Sequence, residues 1–309
     1  MEPTIASPGA PLGAPALPAA SGRPLPGSPV TRLQPRTVGQ LLDAGFEVIK
    51  FRPRVIGWVA AGVGLPLLVA SRILVATTSA TGAQSGLSEA LVGDVTSNTG
   101  RDVVVAFLVS GLGWLAQMLI GVAVAGIVTR WLVGSDPDIG EGFATLRRRG
   151  LVAVGAWGLA LLVKVALSVV TCGLGVLVIV PMLSLLAPVI GCETGGVDSF
   201  RRAIRLGRRR LDALIGLSIL WLVVGGAISF VTWSVSQLLG ELLSSRPAWA
   251  SVSVQMIGVV ISLFASTVQA SVMALTYLDV RVRTEGLDLV LDLPNTFGAD
   301  TAAKASSHG

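Results

Sequence analysis

Histidine, cysteine and lysine are scarce, and the first two shortages each close off a class of function. The chain has one histidine in 309 residues, His308, in a polar stretch beyond the last apolar run. Imidazole acid–base chemistry within the apolar region is therefore excluded. The two cysteines, Cys172 and Cys192, sit at opposite ends of one apolar run. About 20 helical residues at ~1.5 Å each would hold them roughly 30 Å apart, beyond disulfide reach, so they read as small structural residues. No Cys/His cluster has zinc spacing, no P-loop or GxSxG is present, and no pair of carboxylates falls within an apolar run. The sequence carries no enzyme signature and implies no cofactor or metal.

Charge is also sparse, at 13% of residues against 52% hydrophobic, a balance too apolar for a water-soluble domain of this length. A hydrocarbon core of about 30 Å needs ~20 helical residues. Six apolar runs meet that requirement, near 55–77, 103–133, 151–170, 173–191, 213–239 and 250–278. The predicted fold class is all-α, a polytopic bundle of six transmembrane helices.

The basic residues alternate around these runs. Arg23, Arg32, Arg36, Lys50, Arg52 and Arg54 precede the first, Arg130 and Arg147 to Arg149 follow the second, and Arg201, Arg202, Arg205 and Arg208 to Arg210 follow the fourth. Arg281, Arg283 and Lys304 follow the sixth, whereas the alternate connections hold only Arg101 and Arg246. The positive-inside rule then places both termini in the cytoplasm. The net charge of +5 is concentrated at the ends of spans, where anionic lipid headgroups are the partner expected, and nucleic acid is not. Lysine occurs only at Lys50, Lys164 and Lys304, which with the Ala, Gly and Val content points to a GC-rich bacterial genome and a bacterial cytoplasmic membrane.

Residues 1–36, rich in Pro, Ala, Gly and Ser, read as a disordered tail without a signal-length apolar run, residues 37–291 as the membrane domain, and 292–309 as a second disordered tail. In 37–54 the residues Leu41, Leu42, Gly45, Phe46 and Ile49 share one helical face opposite Gln40, Asp43, Glu47 and Lys50, so an interfacial helix is predicted, capped by Thr37 and ended by Pro53. Ile139 to Arg149 and Val197 to Arg210 repeat that pattern, with Phe46, Phe143 and Phe200 in comparable places. Three units of one interfacial helix and two spans result, at 37–134, 138–192 and 195–285. A polar external loop is predicted over Gly93 to Gly100, and a tight turn over Thr171 to Gly175. Pro66, Pro181 and Pro188 should kink their spans. Small-xxx-small pairs such as Gly121/Ala125 should let helices approach closely, and Trp58, Trp131, Trp233 and Trp249 fit interfacial aromatic belts.

Two groups of polar residues are candidate sites. Lys164 lies within the third span and can form an intramembrane polar site with Gln117, Gln255 or Gln269, or else snorkel to the outer interface. At the cytoplasmic end, Asp279 and Arg283, and Arg281 and Glu285, stand at i,i+4 if the last helix continues, with Gly286 as its left-handed cap. If Glu193, with Arg201, Arg202 and Arg205 after it, joins them at the inner mouth of the bundle, these residues together read as a structural lock or a contact for partner protein and lipid.

The segments TVGQLLDAGFEVIKFRPR (37–54), ETGGVDSFRRAIRL (193–206) and YLDVRVRTEGLDL (277–289) resemble a group of bacterial six-span proteins related to the membrane domain of glycerophosphodiester phosphodiesterases, particularly its actinobacterial members of unknown function. Ala203 departs from the pattern, which has a small hydroxyl residue there. The resemblance implies a membrane module alone. In the enzymes the phosphodiesterase is a separate soluble barrel, and its histidines and metal-binding carboxylates have no counterpart in this chain. The expectation is a non-catalytic assembly or scaffold protein that engages anionic lipid and partner proteins, with a carrier or lipid-handling protein as the alternative.

Overall fold

The computed structural model describes residues 25–30, 36–79, 99–171, 176–193, 198–242 and 249–285. Among the described residues all regular structure is helical. The predicted turn at 172–175, the loop at 93–98, the tail beyond Glu285 with Gly286, Cys172 and residues 1–24 and 31–35 lie outside them.

Helix α1 (Val38–Phe51) begins at a capping box: Thr37 Oγ1 accepts from the Gln40 amide while Gln40 Oε1 accepts from the Thr37 amide. It buries Leu41, Ala44, Gly45 and Val48, one stripe at helical spacing. Arg52 breaks the helix, and Pro53 opens α2 (Pro53–Ser79) at the first helical position, where a missing N–H costs nothing.

Helix α3 (Thr99–Leu132) turns at Gly134, whose φ of +76° favours glycine, into α4 (Ile139–Val170), capped by the Asp138 carboxylate on the Glu141 amide. The predicted interfacial stretch Ile139 to Arg149 is therefore not a separate helix. Only Gly150 marks the junction, and a single helical glycine does not break the ladder.

The fourth apolar run differs more. It forms two short helices, α5 (Val176–Leu183) and α6 (Leu186–Cys192), separated at Ser184 and Leu185. Pro188 explains the break: it has no N–H for the Ser184 carbonyl four residues back, and its ring crowds that carbonyl. Ser184 turns back instead, its hydroxyl donating to the Pro181 carbonyl at 2.6 Å.

Helix α7 (Asp198–Arg209) buries Ser199, Ala203, Leu206 and Gly207 and exposes Arg201, Arg205, Arg208 and Arg209. It meets α8 (Leu211–Leu242) at 96° across Arg210. The final helix, α9 (Trp249–Glu285), runs without a break past the apolar region to a charged end carrying Asp279, Arg281, Arg283 and Glu285.

Four helical segments are long and apolar enough to cross a membrane, Pro53–Leu74, Phe107–Leu132, Ile139–Val170 and Met256–Glu285, and the bent α7–α8 pair makes a fifth if it counts as one span. Val178–Cys192 is apolar but shorter. The inner halves of α3 and α9 are buried on all sides and form the core, with Ile120, Ile127, Val272 and Tyr277 inaccessible or nearly so. At the periphery, Leu151 is 88% exposed, Val170 80% and Leu222 71%. Water would penalise so much bare hydrocarbon, whereas lipid chains solvate it.

Two sequence expectations change here. Trp131 is fully buried and packs edge-on against Phe51, with centroids 5.1 Å apart, so it belongs to the core rather than to a belt; Trp58 is exposed. Within the predicted N-terminal tail, residues 25–30 are packed: Val30 and Ser28 are buried, and the Leu25 amide donates to the Trp131 carbonyl at 2.8 Å.

Candidate functional site

The basic end of the bundle holds two buried carboxylates, and each gathers partners from several elements. Glu193, just past α6, has a side chain only 3% exposed. It accepts from Arg202 on α7 and, at 2.5 Å, from the Tyr277 hydroxyl on α9. Arg202 also reaches Glu285, at 2.8 and 2.9 Å, and Arg281 Nε donates to Glu285 at 2.8 Å. One arginine thus joins the end of α6 to the end of α9. Burial disfavours the charged Arg202 guanidinium, but the hydrogen bond and charge of Glu193, with the charge of Glu285, outweigh it and raise its pKa.

Asp279, one helical half-turn from Tyr277, is equally buried. Its Oδ2 accepts from Arg210 at 2.8 Å, both oxygens accept from Arg283 Nε at 3.2 Å, and Oδ1 accepts from the Arg36 amide at 2.8 Å. Arg283 in turn donates to the Arg36 carbonyl. The α7–α8 corner, the end of α9 and the chain entering α1 therefore meet at a single carboxylate.

A third contact ties α4 to the same end. Arg149 Nη1 donates to the carbonyls of Ile190 and Gly191 at 2.8 and 2.6 Å, neutralising the last turn of α6.

Of the residues singled out in the sequence, Glu193, Arg202, Asp279, Arg281, Arg283 and Glu285 converge here. Arg201 and Arg205 do not; both are exposed on the outer face of α7. Tyr277, Arg210, Arg149 and Arg36 were not singled out. Tyr277 is the only tyrosine in the chain, and that rarity within an otherwise apolar helix was the available signal.

The second candidate is a cavity of about 170 Å³ between α3, α4, the α5–α6 break and α9. Lys164, Gln117 and Gln269 all line it, with Trp114, Trp157 and Ser184; the Gln255 side chain lies outside the described residues. Lys164 Nζ sits 4.0 Å from the centroid of the Trp114 ring, a cation–π contact. Gln117 Nε2 donates to the Ser266 carbonyl at 3.3 Å. The indole N–H of Trp157 is buried and has no hydrogen-bond partner among the described residues.

Comparison of the chain with protein families, with curated proteins and with solved structures yields no match.

Proposed function

We propose that this is a non-catalytic module of a bacterial cytoplasmic membrane, whose basic end faces the cytoplasm and binds anionic lipid headgroups and partner proteins. The observation that carries this reading is the position of Arg201, Arg205, Arg208 and Arg209, exposed together on α7 and set nearly at right angles to α8. A short helix turned across the end of a span lies in the interface plane, and each surface arginine contributes about 1 kcal/mol of attraction to an anionic leaflet. The buried network fixes that helix from beneath through Arg202 and Arg210. On this reading α8 crosses as the fifth span, entered through the bend at Arg210, and the broken α5–α6 segment completes six, in keeping with the resemblance to the phosphodiesterase-associated membrane domain. α1 and α7 lie along the cytoplasmic interface.

Native mass spectrometry of the full chain, released from membranes containing phosphatidylglycerol, tests the lipid contact. The natural protein should retain anionic lipid that a protein with Arg201, Arg205, Arg208 and Arg209 all changed to glutamine releases. Equal retention overturns the proposal. Orientation has its own test: in a cysteine-free background, Ser97→Cys and Ser245→Cys should label with an impermeant thiol reagent in intact cells, and Arg208→Cys should not. Ser199 is unsuitable as the inner reporter because it is buried.

A second reading, a carrier or lipid-handling protein, is favoured by one observation: a mainly apolar cavity carrying Lys164, Gln117 and Gln269 lies against an interrupted apolar segment, the arrangement by which membrane transporters form midplane sites.

A further inference from the structure

The cavity beside the α5–α6 break is donor-rich and holds no acid. Its polar lining comprises the ammonium of Lys164, the amides of Gln117 and Gln269, the hydroxyl of Ser184 and two indoles, and none of the described lining residues is acidic. Among the described residues no carboxylate lies within ion-pairing distance of Lys164, whose ammonium instead faces the uncharged Trp114 ring at 4.0 Å. That face offers the cation no hydrogen-bond acceptor, so its three N–H groups keep unmet capacity. Trp157 adds a second unmet donor, its buried indole N–H. Buried indole N–H groups without a partner also occur at Trp131 and Trp221; what sets this cavity apart is that it brings such a donor together with a half-buried ammonium and no acid.

The walls limit what that acceptor can be. Leu161, Val180, Leu183 and Met273 are apolar, and Trp114 at the rim is 43% exposed, so the cavity communicates with the surface that α3 and α4 present to lipid. A hydrated inorganic anion would have to shed its water against hydrocarbon. An amphiphile would not, because its chain stays among the lipid-facing residues while its head enters the cavity.

We propose that this cavity binds the oxyanion head of an acyl-chain amphiphile, a carboxylate or a phosphate ester, with Lys164 as its charge partner and Trp157 Nε1 as a further donor. Its ligand enters sideways from the bilayer. The site is separate from the basic end and stands whether or not the chain also transports what it binds.

Quenching of tryptophan fluorescence tests it, since two tryptophans line the cavity. The full-length protein in phosphatidylcholine vesicles is titrated with dibromostearate, with dibrominated phosphatidylglycerol, and with a dibrominated long-chain alcohol as the uncharged control. Saturable quenching by one or both acids is expected, with a midpoint at least about tenfold higher in Lys164→Met, as loss of a charge-assisted hydrogen bond requires, and close to the natural one in Lys164→Arg. Which acid saturates at the lower concentration distinguishes carboxylate from phosphate. Equal midpoints for the natural protein and Lys164→Met, or equal response to acid and alcohol, overturn the site. The protein carrying the four α7 glutamines should quench like the natural one, so failure of the basic-face reading and failure of this site are separable; loss of saturable acid quenching in that variant also overturns it.

Discussion

The Tyr277 hydroxyl donates to Glu193 across 84 positions of sequence, and Arg202 closes on the same Oε1 from a third helix. A carboxylate held by a neutral donor and a cation together keeps its charge satisfied in a site where its side chain is only 3% exposed. Glu285 and Arg281 extend the cluster to the end of α9. The basic end is thereby closed by polar contacts, where most of the bundle relies on packing.

Glu193→Gln should lower stability by about 2–3 kcal/mol, less than the full cost of breaking a buried ion pair because Arg202 is partly solvated. Tyr277→Phe should cost about 1–2 kcal/mol, since it removes one hydrogen bond to a charged group and leaves Arg202 in place. The double variant should cost less than the sum by about 1 kcal/mol, because the hydroxyl bond owes its strength to the charge that the first substitution removes. Equilibrium unfolding in mixed micelles measures all three. Strict additivity would mean that the two contacts are independent.

The contact between α3 and α6 predicts a sharp contrast between two glycines. A Cβ on Gly191 would lie 2.6 Å from the Val122 carbonyl oxygen and 2.7 Å from Ala125 Cβ, and one on Gly121 would lie 2.7 Å from Ala187 Cβ. Small residues four apart on each helix thus face small residues four apart on the other, and the backbones touch. Gly191→Ala should cost at least about 1–3 kcal/mol, because the obstacle is backbone and cannot rotate away. Gly158→Ala on α4, where nothing lies within 4 Å, should be neutral or stabilise by up to about 1 kcal/mol. Melting temperatures of the two proteins in one detergent settle the comparison.

Local rules made some of this architecture legible from the sequence. Thr37, Gln40 and Pro53 bound α1 because caps and prolines act over one turn, and the i,i+4 spacing of Asp279 with Arg283 and of Arg281 with Glu285 needs only a continuous helix. The close approach at Gly121 and Ala125 was legible for the same reason. The kink expected at Pro188 takes the form of a full break at Ser184, through one missing N–H; hydropathy could not show that the run divides into two helices, because both halves are equally apolar. Nor could it separate Trp131 in the core from Trp58 at the surface, since both stand near the same end of a span. Arg149 looked like one more positive-inside residue. Its target, the carbonyls of Ile190 and Gly191, lies 41 and 42 positions away and is a meeting that only the packing of α4 on α6 creates.

Arg149→Met should therefore be more costly than loss of either neighbouring arginine. Arg147 and Arg148 are exposed, whereas Arg149 supplies donors to two carbonyls at the end of a helix of only seven residues. Removing it should lower stability by about 1.5–3 kcal/mol, and Arg148→Met by less than about 0.5 kcal/mol. Arg149→Lys should recover part of the loss, since one ammonium can reach one carbonyl but lacks the rigid fork. If all three substitutions leave unfolding unchanged, the end of α6 does not depend on this cap.

Asp279 makes a prediction that can be read at a single amide. Its Oδ1 accepts from the Arg36 backbone N–H, while Arg210 and Arg283 hold the rest of the carboxylate in place. Asp279→Ala removes the acceptor of that amide and leaves Arg210 and Arg283 as neighbouring cations without their shared anion. The Arg36 amide should then exchange with solvent deuterium at least about tenfold faster, the equivalent of losing a hydrogen bond to a charged acceptor. Amides within α3, away from this end, should keep their protection. Uniform acceleration across both regions would instead mean that Asp279 supports the stability of the whole bundle, and unchanged exchange at Arg36 would mean that its amide is protected by something other than this carboxylate.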